Sequence, residues 1–209
     1  MLYLSPALSG DGSRSCAACH PGGGSDGRVY NGADETTPGS PGARKVQPLR
    51  GLWQTPPYLW DGSIPTLQGA IQRMLEVEML GGQLRASDIV ALEAYLQSIP
   101  PFERGRVAQD GTPIEPATLS STRGFQLFKR FKCERCHPPP IFARRMRFDV
   151  GTGMRMYPPS LRGLSSSAPY GHDGRWSTIE ETLRAMLAAR EVEHSEEEFW
   201  DLIRYLELL

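Results

Sequence analysis

The chain has 209 residues, enough for one large domain or two of roughly 100 residues each. A formal net charge of −1 and a hydrophobic content of 39% exclude a nucleic-acid footprint and a disordered chain. No apolar run approaches the roughly 18 residues of a membrane helix, and 22 glycines with 18 prolines imply long loops that call for a metal, disulfide or cofactor as a staple.

Taken in chain order, the first fifteen residues carry no secretory-signal pattern. They lead into Cys16-Ala17-Ala18-Cys19-His20, and the same CxxCH arrangement returns at Cys133, Cys136 and His137. All four cysteines lie in these two motifs, so none is left for a disulfide. In c-type haem attachment two sulfurs bond the porphyrin edge through its vinyl groups, and the adjacent histidine is delivered to the iron. One helical turn provides that spacing. Zinc offers a competing chemistry, but the two pairs are more than a hundred residues apart and a four-cysteine site needs no histidine after each pair. A thioredoxin-like pair expects a βαβ setting that the sequence lacks. The expectation is covalent haem at both motifs.

Next comes "LRGLWQTPPYLWDGSIPTLQGAIQRM" from Leu49, which aligns without a gap to "LRGLSSSAPYGHDGRWSTIEETLRAM" from Leu161. Each copy runs into a helical stretch, "ALEAYLQSI" and "DLIRYLELL". The order of motifs is thus used twice, which predicts two homologous domains. The first spans residues 1–100 and the second 117–209. Between them, at 101–116, Pro101, Pro113 and Pro116 oppose a continuous helix. Phe125, Leu127, Phe128 and Phe131 predict a helix ahead of the second CxxCH. Thr178 with Glu181 and Ser195 with Glu198 read as capping boxes opening the last two helices. No period-2 strand or hairpin turn stands out, so the fold class is all-α.

Two CxxCH domains, each followed by "LRGL", then "PYLWDG" or "PYGHDG", then a threonine-led helix reaching a methionine, resemble the di-haem cytochrome c peroxidase/MauG family over nearly the whole chain. The resemblance implies two tandem cytochrome c-like domains, each built around one haem c. In that family one haem transfers electrons and the other can be open for peroxide chemistry. It also implies a small cytochrome or cupredoxin as redox partner. Calcium between the domains, as in some relatives, is compatible with it but not indicated by any residue.

The sixth iron ligand decides between these chemistries. Only His172 and His194 remain beside His20 and His137, both of them late in the chain. Met74 and Met186 occupy equivalent repeat positions, where the family's electron-transfer haem takes a methionine. Met79 rivals Met74, and His194 rivals Met186. Trp60 resembles the tryptophan that couples the two haems in peroxidase-like members, with His172 as its repeat equivalent; packing on a porphyrin face is the competing role. The family's distal glutamine and glutamate positions fall on Ala70 and Leu80, with Glu78 the nearest acid, which makes electron transfer the default and peroxidase activity the alternative. Arg50 and Arg162, repeated in LRGL, suit pairing with haem propionates. Gly124 suits a close crossing of the helix before the second CxxCH with the helix holding Tyr205. The first domain has no such glycine and supplies Leu2-Tyr3 instead, as if it began late. Haem is attached to such proteins outside the cytoplasmic membrane, so a periplasmic or extracellular location is expected.

Overall fold

The computed structural model describes residues 1–31, 34–35, 42–102 and 106–209. They group into two units: Met1–Pro101 with Pro169–Arg175, and Phe102–Ala168 with Trp176–Leu209. A short piece of the second repeat therefore belongs to the first unit. The stretch read as a linker contributes to the second: Val107 is 3% exposed in its core, and Arg106 N–H donates to Leu208 O. Residues 103–105 of that stretch lie outside the described residues.

The first unit opens with two 3-10 turns, Leu2–Leu4 and Pro6–Leu8, followed by α1 (Cys16–Cys19). A small antiparallel sheet follows: β1 (Val29–Asn31), β2 (Asp34–Glu35) and β3 (Arg44–Lys45), in the order β2-β1-β3. The described residues are mostly helical, as the all-α reading expects, and this small sheet is what that reading left out. Strands of two or three residues are too short for an alternation of polar and apolar positions to show in the sequence. Then come α2 (Leu67–Arg73), capped by the Thr66 hydroxyl accepting from Gly69 N–H, and α3 (Ala86–Ser98). Leu67, Ala70, Ile71 and Leu75 bury one face of α2 and its extension against Leu92 and Leu96 of α3.

α2 runs into a π-helical turn, Met74–Glu78, closed by Met79 N–H donating to Met74 O at 2.9 Å. Wide turns of this kind break the regular helix ladder and recur at functional sites. The chain's beginning is pinned onto the end of that turn, because Gly10 N–H donates to Met79 O. A Cβ at Gly10 would lie 2.1 Å from Leu80 O, so the approach depends on glycine.

The second unit holds α4 (Leu119–Arg130), α5 (Ile179–Ala188) and α6 (Glu196–Leu206). The capping boxes at Thr178/Glu181 and Ser195/Glu198 form as expected, and Thr118 with Ser121 makes a third. α4 and α6 cross at Gly124, where a Cβ would sit 2.0 Å from Asp201 O. Asp201 itself is buried and accepts hydrogen bonds from Arg123 and Ser120 of α4. Among the described residues, no helix is long and apolar enough to cross a membrane.

Candidate functional site

Each CxxCH motif is a single helical turn. His20 N–H donates to Cys16 O and His137 N–H to Cys133 O, both at 2.9 Å. The first turn is α1; the second is a 3-10 turn, Cys133–Arg135, running into Cys136. None of the four thiols is in a disulfide. Burial pushes all four up from the ordinary thiol range, Cys133 to about 11, so they stay protonated at neutral pH.

The histidine rings are oriented by their other nitrogen. His20 Nδ1 lies 3.3 Å from Gly24 O, and His137 Nδ1 lies 3.0 Å from Phe142 O. A carbonyl oxygen only accepts, so Nδ1 carries the proton and Nε2 keeps a lone pair. Burial lowers His20 and takes His137 to about 4, more than the ring's backbone hydrogen bonds restore. Both rings are thus neutral at pH 7, the form that binds a metal. Two sulfurs and one neutral imidazole on one turn are the donor set that haem c needs, and the arrangement is built twice.

The repeated LRGL block braces the loop behind each turn. Gly51 and Gly163 both have φ of 67°, where the chain enters a 3-10 turn. The preceding arginines point back. Arg50 Nη2 donates to Gly22 O at 3.0 Å, while Arg162 donates through Nε at 2.7 Å, and also through Nη2, to Pro140 O.

The candidate sixth ligands sit on the helices that follow or, for His194, in the loop between α5 and α6. Met74 opens the π turn and is half-buried; Met79 closes it and packs on the first core. Met186 is half-buried on α5 between buried Leu183 and Leu187. His194 Nδ1 lies 2.8 Å from Val192 O. The peroxidase positions are differently occupied. Ala70 is buried in the first core, and Leu80 is 65% exposed with φ of 51°. Arg73 Nη1 is 3.2 Å from Glu78 Oε1, a charge contact without hydrogen-bond alignment.

Trp60 and its repeat equivalent His172 meet within the first unit, with ring centroids 6.4 Å apart and edges to face. Lys45 of β3 joins them through its backbone: its carbonyl accepts from Trp60 Nε1 and its N–H donates to His172 O, each at 2.9 Å. Lys45 is a contact of this pair that sequence reasoning missed. The residue is 6% exposed, and burial lowers its amine to about 8. Nothing in "KVQPLRG" marks it as other than a surface lysine. Among the described residues, no group of three or more His, Cys, Asp or Glu side chains is placed to hold a metal ion, so none supplies such a set for calcium.

Residues 1–105 match the family model described as di-haem cytochrome c peroxidase. The chain belongs to that family. It is 27% identical to the cytochrome c peroxidase Ccp of Escherichia coli, over 89% of this chain and 51% of that protein, so it spans about half the length of that relative. It is 26% identical to the methylamine utilization protein MauG of Methylorubrum extorquens, over 100% of this chain and 76% of that one. Among solved structures, Kuenenia stuttgartiensis hydrazine synthase superposes with a TM-score of 0.81 at 21% identity, covering 100% of this chain and 85% of that chain. That likeness is one of fold. Haem is the cofactor of this family, and both CxxCH turns have the donors to take it.

Proposed function

We propose that the chain is a di-haem c-type cytochrome that passes electrons through two centres, one at Cys16, Cys19 and His20, the other at Cys133, Cys136 and His137. The observation that carries this reading is the paired histidine geometry, with each Nδ1 committed to a backbone carbonyl one turn after a cysteine pair. Haem, when bound, supplies the redox-active iron. In covalent attachment each thiol adds its S–H across a vinyl C=C, forming one C–S and one C–H bond with nothing released.

Met74 and Met186 are the proposed sixth ligands, with Met79 and His194 their rivals. A thioether ligand raises the potential relative to a second histidine. Trp60, held on Lys45 and edge-on to His172, is the proposed coupling residue. Arg50 and Arg162 are the proposed partners of the haem propionates. The electron donor or acceptor is proposed to be a small cytochrome or cupredoxin, and the location periplasmic or extracellular, where haem is attached to such proteins.

Family membership favours a second reading, a peroxidase or MauG-like oxidase with an open first centre and Glu78 as its acid–base group. Ala70 and Leu80 at the glutamine and glutamate positions weigh against it, as does the engagement of Glu78 with Arg73. EPR and optical spectra of the ferric protein, before and after cyanide, decide between the two. Two low-spin centres that resist cyanide are expected. A high-spin centre that takes up cyanide would put the peroxidase reading first.

A further inference from the structure

We infer that Arg50 and Arg162 are positioning residues for the two histidines, each anchoring the loop whose carbonyl accepts the Nδ1 hydrogen. The inference rests on the reading of His20 and His137 as iron ligands. It assigns these arginines a role separate from propionate pairing.

The loops behind the two CxxCH turns, "PGGGS" and "PPPIF", are held internally by little more than one backbone bond each, Gly24 N–H to Pro21 O and Phe142 N–H to Pro138 O, the first closing a 3-10 turn at Pro21–Gly23. Glycine adopts many conformations and proline donates no hydrogen bond, so such a loop holds a carbonyl in place only if something else fastens it. The LRGL block does this in both units. In the first, Leu49 and Arg50 N–H groups donate to Gly23 O at 2.9 and 3.1 Å, and the Arg50 guanidinium reaches Gly22 O. In the second, Leu161 N–H donates to Phe142 O and Ser160 Oγ to Ile141 O, while the Arg162 guanidinium forks onto Pro140 O.

The arginine's target lies two residues ahead of the Nδ1 acceptor in each case: Gly22 before Gly24, and Pro140 before Phe142. The two loops share almost no sequence, yet the offset is the same, which a chance surface contact would not reproduce. A hydrogen bond from a guanidinium is charge-assisted and stronger than one between neutral groups. The two sites also grade together. The forked anchor accompanies the shorter Nδ1 contact, 3.0 Å at His137, and the Arg50 bond to Gly22 O accompanies the longer one, 3.3 Å at His20.

The consequence is electronic. A firm acceptor on Nδ1 makes the imidazole more basic at Nε2, which favours the oxidised metal. Weakening the anchor therefore raises the potential of the centre it serves. The test uses the haem-loaded protein with Arg162→Gln, Arg162→Lys and Arg50→Gln, haem content being checked for each. Potentiometric titration should show the His137 centre shifted upward in R162Q, with the His20 centre unmoved. R50Q should show the converse, by a smaller step. Lysine cannot reproduce the fork, so R162K should behave like R162Q.

Loss of a propionate partner alone would give a potential change that varies with pH and is largely repaired by lysine. That result, or unmoved potentials in fully loaded variants, would overturn the inference. A second readout does not depend on the cofactor: solvent exchange of the His137 Nδ1 proton in nitrogen-15-labelled protein should quicken in R162Q. Unchanged exchange would overturn the anchor in loaded or unloaded protein alike. A wild-type chain that takes up no haem would instead sink the function proposed above, while the exchange measurement still scores the anchor.

Discussion

The two units reach the same local arrangement by different routes. In the second, α4 carries Phe128 across α6, and its ring meets Tyr205 with centroids 5.3 Å apart. In the first, the described residues ahead of α1 form two 3-10 turns. A 3-10 turn delivers Tyr3, only 2% exposed, to Tyr95, with centroids 4.7 Å apart. Tyr95 and Tyr205 are repeat equivalents in "YLQS" and "YLEL". What the leading element must supply is one buried aromatic ring behind the attachment turn. A twelve-residue helix and a three-residue turn both supply it. The turn goes further, since the Tyr3 hydroxyl also donates to His20 O.

That contrast can be broken by substitution, and the largest effect is expected at the helix crossing. Gly124→Ala forces a Cβ against the backbone of α6, where neither element can yield, and should cost the second unit about 3 kcal/mol. Hydrogen exchange should show protection falling in α4 and α6 while α2 and α3 keep theirs; equal losses in all four would mean that the crossing is not what separates the units. Tyr3→Ala removes a buried ring and should cost the first unit about 3 kcal/mol as well. If its melting transition is unchanged, the short turn does not do for the first unit what α4 does for the second.

Asp201→Asn sharpens the comparison, because it tests an ion pair that ties α4 to α6 in the second unit. The Arg123 hydrogen bond, helped by Ser120, holds the Asp201 carboxyl below its ordinary value against the opposing effect of burial. Stability from this group is present above the unfolded value of 3.8 and is lost as the pH falls through the lower folded value. The substitution should cost about 1–2 kcal/mol at neutral pH and flatten the acid limb of the second unit's stability profile. An acid limb identical to wild type would assign the acid sensitivity elsewhere. Smallest is Trp60→Phe, which forfeits the bond to Lys45 O, worth about 1 kcal/mol in the first unit alone. A thermal scan showing loss in the second unit instead would contradict the placement of Trp60.

Much of this arrangement was legible in the sequence because it rests on fixed spacing. CxxCH puts the histidine one turn after the first cysteine, and threonine or serine three residues before glutamate writes a capping box. The repeat exposed Arg50 and Arg162 as a matched pair. Their targets stayed hidden, since a backbone carbonyl at Gly22 or Pro140 has no residue signature. The π turn was equally silent: "MLEVE" satisfies an ordinary helix, and only the bonding of Met79 to Met74 separates the two. The meeting of Trp60 with His172 joins residues more than a hundred positions apart, which no local pattern encodes. The sheet escaped notice because strands of two and three residues carry no period.

The placement of Pro169–Arg175 has a consequence for how the molecule is made. On the ribosome, the first unit lacks part of itself until residue 175 has left the exit tunnel, and by then the second CxxCH has long since been synthesised. A nascent chain paused at residue 101 would show Trp60 with no His172 to pack against. Translation order and structural completion therefore part company, and the unit that is begun first cannot be the one that is finished early.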